Sequence, residues 1–419
     1  QAAEIVIGQM TDRTGVTAGA VASFSTAQAA EIVIGQMTDR TGVTANVGNP
    51  MGDAVQDYVA LVNSKGGVEG HTIRVIEIDN QYKVPPAVEG YQRFKSEGAV
   101  LVGLYGTPIT QALTADLAKD QIPGTSPGFG TAASADGESY PYLFPAAASY
   151  WSQAGGAVEF AKQELGGELK GKRIAYLFFD NPAGREGLPV IRKLAEMEGF
   201  ELQEFPVPSP GIEMDNQARD IARRFKADYV ISHLFGRAPS VQLQALRRAG
   251  YPLNKVVSFV WGQSEADIEA GGGYAANVGY NGIQFAGVGD DFELRREIEA
   301  MYKDRGQDLP ATFNSTVFYN RGLLIGALHI EAVRNAVKAN GGSADITGTQ
   351  VRDGFRAIKD FSLGGLVPPL NLAGGDHEGG GWVRVFTITE NGFEPKTDWF
   401  KGYRDVVFEM IKEEAAKSN

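Results

Sequence analysis

The chain has 419 residues, a net charge of −12 and no cysteine. An acidic balance is not typical of nucleic-acid binding proteins, which usually carry excess positive charge. The lack of cysteine excludes disulfides, thiolate metal sites and a cysteine nucleophile, and no apolar run is long enough to predict a membrane span.

The chain opens with a duplication, because residues 1–18 and 28–45 have the same sequence. The spacer, residues 19–27, is rich in small residues and ends in Ser-Thr-Ala, as the tail of a secretory signal does. We interpret residues 1–27 as a signal remnant combined with a cloning or numbering artefact, since a true repeat would need more copies. This interpretation, with the missing cysteines, predicts an exported periplasmic protein whose signal peptide is removed.

Short apolar runs then alternate with amphipathic stretches. The runs are rich in β-branched and aromatic residues, as parallel strands buried on both faces are. They are Ile32–Met37, Ile73–Ile78, Val100–Leu104, Ile174–Phe179, Tyr229–Phe235 and Val256–Trp261. Because helix patterns separate them, the order predicts an α/β fold with parallel sheets.

The rest of the chain predicts a long helical region over residues 291–339, a glycine-rich and proline-rich part over 364–381, a strand at Trp382–Ile388 and a terminal helix from Arg404. One sheet of this type rarely accommodates so many residues. We therefore expect two lobes with a cleft between them.

Three catalytic or nucleotide-binding motifs are imperfect. Residues 124–128 match G-x-S-x-G, but Pro127 follows the serine and has no N–H for an oxyanion. Residues 128–133 resemble a dinucleotide fingerprint without a clean preceding strand. Residues 166–172 resemble a phosphate loop, but they precede a strand instead of following one. We expect no enzyme activity and no cofactor.

The histidines give no metal prediction either. The four are far apart in sequence, and we expect one on a buried strand and three on surfaces. Asp376, His377 and Glu378 are adjacent and could hold a metal, but a solvated loop is the favoured interpretation.

The candidate site follows from topology, because ligands of open α/β sheets bind beyond the carboxyl ends of the strands. Tyr105, Gly106 and Thr107 follow one strand and would lie at a helix N-terminus, where free N–H groups hold a carboxylate. Thr107 as an N-cap without a ligand is an equal alternative. A second loop offers glycines that let backbone approach a ligand, or forms an ordinary turn. Its candidates are Ser126, Gly128, Phe129, Gly130 and Thr131.

The second half of the chain adds a cation and aromatic rings. Phe235 and Arg237 end one strand region, and a guanidinium there suits a carboxylate, with a surface ion pair as the alternative. Trp261 ends the next strand, and Trp151 lies near the expected crossover. Such rings favour a flat or apolar ligand body, or else they form lobe-packing core.

The chain from Gln28 onward resembles the periplasmic substrate-binding proteins of ABC transporters, of the leucine/isoleucine/valine-binding type. The ordered set of segments 32–55, 63–79, 102–112, 122–133, 173–187 and 228–251 carries this resemblance. The resemblance implies two Rossmann-like lobes joined by a three-crossover hinge, a small ligand, a membrane permease as partner and a monomer. The expected lobes are residues 28–146 with 284–372, and residues 147–283 with 373–419.

The family's ligand carboxylate is held by the loops that match residues 105–107 and 126–131. The family's acid for the ligand ammonium falls near Trp261, and a tyrosine of its second lobe falls near Arg237. Without that acid, a buried ammonium would cost several kcal/mol. We therefore expect a carboxylate-bearing ligand bound by hinge closure, either branched-chain amino acid-like or, as the favoured alternative, an aromatic or other organic acid. A hydrolase or a sensor domain using the same cleft is the alternative.

Overall fold

A first parallel sheet is built by the amino-terminal half. The computed structural model describes residues 29–373 and 375–418, so the duplicated start, residues 1–27, lies outside the described residues. The strand order is β2-β1-β3-β4-β5. The strands are β1 Glu31–Thr38, β2 Thr72–Asp79, β3 Val102–Gly103, β4 Gly124–Thr125 and β5 Leu143–Phe144. Helices α1 Ala45–Ser64, α2 Val84–Ser96 and α3 Thr107–Asp120 connect them.

A second sheet has seven strands in the order β12-β11-β10-β9-β8-β6-β7. Its parallel part is β6 Arg173–Phe179, β7 Glu201–Val207, β8 Tyr229–His233, β9 Val256–Ser258 and β10 Asn281–Gln284. Strands β11 Arg384–Thr389 and β12 Gly392–Pro395 add an antiparallel edge. Its helices are α4 Tyr150–Glu164, α5 Pro182–Arg185, α6 Leu188–Glu198, α7 Asp215–Arg219, α8 Ala238–Arg248 and α9 Glu265–Ala270.

Four further helices tie the two sheets together. They are α10 Glu293–Asp304, α11 Thr316–Ala339, α12 Gly348–Arg356 and α13 Arg404–Ala416. Helices α10 and α11 return to pack on α1, α12 packs on α11, and α13 packs on α4. The chain therefore crosses between the lobes after β5, after β10 and before β11, which confirms the predicted α/β fold of two lobes.

The predicted strands are confirmed, with informative differences. The runs ending at Leu104, Phe235 and Trp261 leave their sheets early, because their last residues turn into the loops between the lobes. Strand β7 was missed, since it is an edge strand whose exposed residues and Pro206 hide the apolar pattern. The predicted helical region over 291–339 is two helices.

The histidine interpretation was right for His233, which lies on the buried strand β8, and wrong for the other three, which were expected on surfaces. All four histidines are buried, at 3% exposure or less. His377 stacks on Phe144 with ring centroids 3.8 Å apart, and its Nδ1 lies 2.8 Å from the Leu143 carbonyl oxygen. The segment 376–378 is therefore packed in the hinge instead of being a solvated loop.

Glu378 joins three separate segments at this hinge. Its carboxylate accepts hydrogen bonds from the Ser149 N–H at 2.7 Å and the Ser152 hydroxyl at 2.8 Å, at the start of α4. It also pairs with Arg404, which begins α13. Because Glu378 is fully buried, removing it leaves the Ser149 N–H without an acceptor, whereas Arg404 keeps its second carboxylate partner, Asp376, at 2.7 Å.

We expect Glu378→Ala to lower the free energy of unfolding by about 1–3 kcal/mol, since it leaves the buried Ser149 N–H and Ser152 hydroxyl without their acceptor while Arg404 remains paired with Asp376. Urea denaturation followed by far-UV circular dichroism measures this change. The exposed Glu390 is the matched control, and Glu390→Ala should leave stability unchanged. Equal stability of the two variants would show that the Glu378 network contributes nothing.

Candidate functional site

One small cavity lies between the lobes, at the carboxyl ends of the strands. Its lining residues are Thr44, Val47, Tyr82, Tyr105, Phe129, Tyr150, Phe235 and Trp261. They come from the loops or helix starts after β1, β2, β3, β4, β5, β8 and β9, as the topology of open α/β sheets requires. The cavity volume is about 20 Å³, which is room for about one water molecule.

Aromatic rings from the two lobes close this cavity by packing on one another. Phe129 and Trp261 stack with centroids 4.9 Å apart and planes at 10°. Tyr82 lies 5.9 Å from Phe235, and Tyr105 meets the edge of Phe129 at 5.3 Å. Each such pair contributes about 0.5–1.5 kcal/mol beyond its buried area, so the rings themselves stabilise closure.

The hydroxyl of Tyr105 belongs to a chain of hydrogen bonds. Its oxygen lies 2.9 Å from Thr44 Oγ1, and that hydroxyl donates to Asp39 Oδ2 at 2.7 Å. Burial raises the pKa of the Tyr105 phenol well above its usual range. The ring therefore faces the cavity as a neutral apolar wall.

The predicted helix N-terminus lies beside this wall. Gly106 precedes α3 with φ 100°, and a Cβ there would come within 2.8 Å of the Tyr82 ring, so only glycine suits the position. Thr107 is the first helical residue and not the N-cap, so the N-cap alternative was wrong. Its Oγ1 instead accepts a hydrogen bond from the Gly130 N–H at 3.2 Å.

The second predicted loop crosses to the other lobe through its backbone. The Gly128 carbonyl accepts from Trp261 Nε1 and from Gln153 Nε2, both at 3.3 Å. Ser126 is fully buried, and its hydroxyl has no partner among the described residues. Thr131 is half-buried and accepts a hydrogen bond from Ser134 at its carbonyl.

Trp151 is buried but does not line the cavity. Its Nε1 donates to the Glu186 carbonyl at 2.8 Å. Glu186 was missed by the sequence analysis, although its Oε1 accepts the Ala132 N–H of the other lobe at 2.5 Å. Its Oε2 is buried against Gly130 without a partner in the described part of the chain. This burial raises the pKa of Glu186 to about 7.

Arg237 is not brought together with the cavity residues. Its side chain is exposed and lines a separate groove with Gly42, Asn46 and Ser240. The groove is closed below by a hydrogen bond of 3.2 Å from Asn46 Nδ2 to the Gly236 carbonyl. Arg237 therefore lies at the rim between the lobes and does not line the cavity.

Four of the twelve predicted residues line the cavity, namely Tyr105, Phe129, Phe235 and Trp261. Tyr82 and Thr44 were missed, although each follows the end of a strand, where the same rule could have found them. Tyr150, at the start of α4, is both buried and part of the wall.

Within residues 29–373 and 375–418, no group of three acidic, histidine or cysteine side chains is placed to hold a metal ion. In the same residues, no helix combines the length and apolar character needed to cross a bilayer.

The sequence profile described as "Periplasmic binding protein" matches residues 31–393. A structure described as an ABC transporter permease from the Pseudomonas fluorescens group is 30% identical, with a TM-score of 0.84, over 92% of this chain and 96% of its own. No curated protein matches the chain.

Two more distant structures share the fold. A branched-chain amino acid ABC transporter protein from Thermus thermophilus with bound valine is 20% identical, with a TM-score of 0.79, over 91% of this chain and 99% of its own. A fatty acid ABC transporter substrate-binding protein from Thermomonospora curvata is 20% identical, with a TM-score of 0.76, over 89% of this chain and 93% of its own.

The chain belongs to the periplasmic binding protein family. It is a solute-binding protein of the ABC transporter type and not an enzyme, and its family implies an extracytoplasmic location.

Glu186 gives a pH-dependent prediction. Its folded-state pKa, about 7, lies above the ordinary value of 4.5, so its contribution to stability is present below pH 4.5 and is lost as pH rises through 7. The loss should be about 3–4 kcal/mol at most, since each unit of pKa corresponds to about 1.4 kcal/mol. Glu186→Gln removes this titration, so its stability relative to the wild type should rise between pH 4.5 and pH 8. Chemical denaturation across that range tests it, and parallel pH profiles of the two proteins would refute it.

Proposed function

We propose that this protein captures a small organic acid with a flat or apolar body in the aromatic cavity and delivers it, as a monomer, to a membrane permease. The convergence of six aromatic rings from both lobes on one cavity carries the proposal. The lobes that close would be residues 28–146 with 284–372, and residues 147–283 with 373–419.

The walls favour an acid over an amino acid. The eight lining residues include no carboxylate, so an α-ammonium group would have no charged partner at the wall, at a cost of several kcal/mol. The N-terminus of α3 lies beside Tyr105 and Gly106, and a helix N-terminus favours a carboxylate. The ligand's apolar body would then face Phe129 and Trp261.

The named relatives are associated with different ligands, each of which has an apolar part. The Thermus thermophilus structure holds valine, and the Thermomonospora curvata protein is named for fatty acids. In the present chain the cavity is walled by rings, which offer flat surfaces for an aromatic or unsaturated body. We therefore favour an aromatic acid, with an aliphatic acid as the second candidate.

Binding needs motion, because a cavity of about 20 Å³ holds no organic acid. Hinge opening separates Phe129 from Trp261 and Tyr82 from Phe235, and the ligand then takes the place of part of these contacts. Such a ligand shifts the equilibrium only by the difference between its affinities for the two states.

A thermal-shift screen over aromatic acids, aliphatic acids and amino acids, followed by calorimetry, tests the proposal. Ligands that bind the folded protein raise the melting temperature by mass action, and we expect the largest rise with aromatic acids. A response confined to amino acids would contradict the proposed ligand class, and no response to any of the three would contradict the site.

Phe129→Ala should weaken binding of the best acid about tenfold, because the ligand loses one stacking surface. Isothermal titration calorimetry gives the dissociation constant. Met197, an exposed apolar residue remote from the cavity lining, is the control, and Met197→Ala should bind as the wild type does. An unchanged constant for Phe129→Ala would place the ligand elsewhere.

A further inference from the structure

A buried cation lies next to the cavity wall and was not singled out by the sequence. Arg321, on α11, is 0% exposed. Its Cζ lies 5.1 Å from the ring centroid of Trp261, 4.5 Å from that of Phe285 and 5.4 Å from that of Phe318. The guanidinium thus contacts the same indole that lines the cavity and stacks on Phe129.

Most of the hydrogen-bonding capacity of Arg321 is unused. Its Nη2 donates to Gln284 Oε1, while Nε and Nη1 have no partner among the described residues. Gln284 is itself fixed, because its Nε2 donates to the Gln263 carbonyl at 3.1 Å. The guanidinium is therefore anchored at Nη2, while Nε and Nη1 keep free donors.

No carboxylate pairs with Arg321 in the described part of the chain. The two acids whose charges reach it form hydrogen bonds elsewhere. Glu265 accepts at Oε1 from the start of α11, at Thr316 and Val317, while its Oε2 has no partner among the described residues, and Asp267 accepts from Ser264. Burial lowers the pKa of Arg321 to about 9 and raises that of Asp267 to about 7.

A buried guanidinium with free donors and no ion pair is costly unless something compensates it. Cation–π contacts with three rings compensate part of this cost. The free Nε and Nη1 groups lie on either side of the anchored Nη2, so a carboxylate oxygen can accept from either of them while its second oxygen accepts the remaining N–H of Nη2. The residue that separates them from the cavity is Trp261, which is held by a single 3.3 Å hydrogen bond to the Gly128 carbonyl and by ring contacts.

We propose that Arg321 is the counter-ion of the ligand's carboxylate, and that Trp261 covers it until a ligand displaces the indole from Phe129 and Gly128. This proposal rests on the proposed function and specifies it. It assigns the anion site to α11 and not to the exposed Arg237 or to the N-terminus of α3 alone. The ligand's flat body then takes the place of the indole against Phe129.

The test compares each acid with its neutral amide in calorimetry. The probes are benzoate and benzamide, phenylacetate and phenylacetamide, and 3-phenylpropionate and its amide. Because hydrogen bonds to a charged group are stronger than those to a neutral one, we expect the wild type to bind the best acid with a dissociation constant at least about tenfold lower than that of its amide. In Arg321→Met that preference should disappear while amide binding stays the same, and Arg321→Lys should retain part of it.

Arg237→Ala is the matched control and should keep the acid preference. Melting temperatures establish that each variant is folded, and the Arg321 Nε–Hε resonance, assigned by its loss in Arg321→Lys, gives a readout in the unsubstituted protein. That resonance should shift with the acid and not with the amide. A full acid preference in Arg321→Met would overturn the proposal and leave the proposed function intact. Failure of every probe to bind the wild type would overturn both.

Discussion

The closed state depends on aromatic packing across the cleft, above all on the stack of Phe129 against Trp261. Parallel strands in both lobes direct their following loops to the same cleft, so rings at the strand ends of one lobe meet those of the other. Stacking is short-ranged and loses its contribution when the lobes separate. The same rings therefore provide the wall of the site and the force that closes it.

Polar groups around these rings decide which ligand the site accepts. Among the described residues Ser126 has a free hydroxyl and Arg321 two free donor groups, while no acid lines the cavity. In a low-dielectric interior an unpaired polar group costs more than it would in water. A ligand that supplies the missing acceptors thus gains specificity from groups that the protein alone leaves unpaired.

The sequence predicted the lobes and the strand ends well, because both follow from apolar runs and from topology. Tyr105, Phe129, Phe235 and Trp261 were found by that rule. It failed for Arg237, since a residue two positions beyond Phe235 can point outward, and side-chain direction in a loop is not set by periodicity. Arg321 and Glu186 were missed because burial of a charged residue inside a helix or a loop leaves no local pattern, and only three-dimensional packing reveals it.

The packing of the aromatic rings on one another in the ligand-free form also limits the affinity for the ligand. If the closed, ligand-free form dominates, a ligand binds only the fraction of molecules in which Trp261 has left Phe129, and its apparent affinity falls by that fraction. The contacts of the ligand must then compensate for the stacking energy that is lost when Trp261 leaves Phe129. A flat body can replace the indole against Phe129, whereas an aliphatic chain replaces its area without its ring geometry. An anionic group adds hydrogen bonds that the indole cannot form, because it accepts from the donors of Arg321 that Trp261 only covers. The closed cleft therefore discriminates against ligands that lack either a flat face or a negative charge.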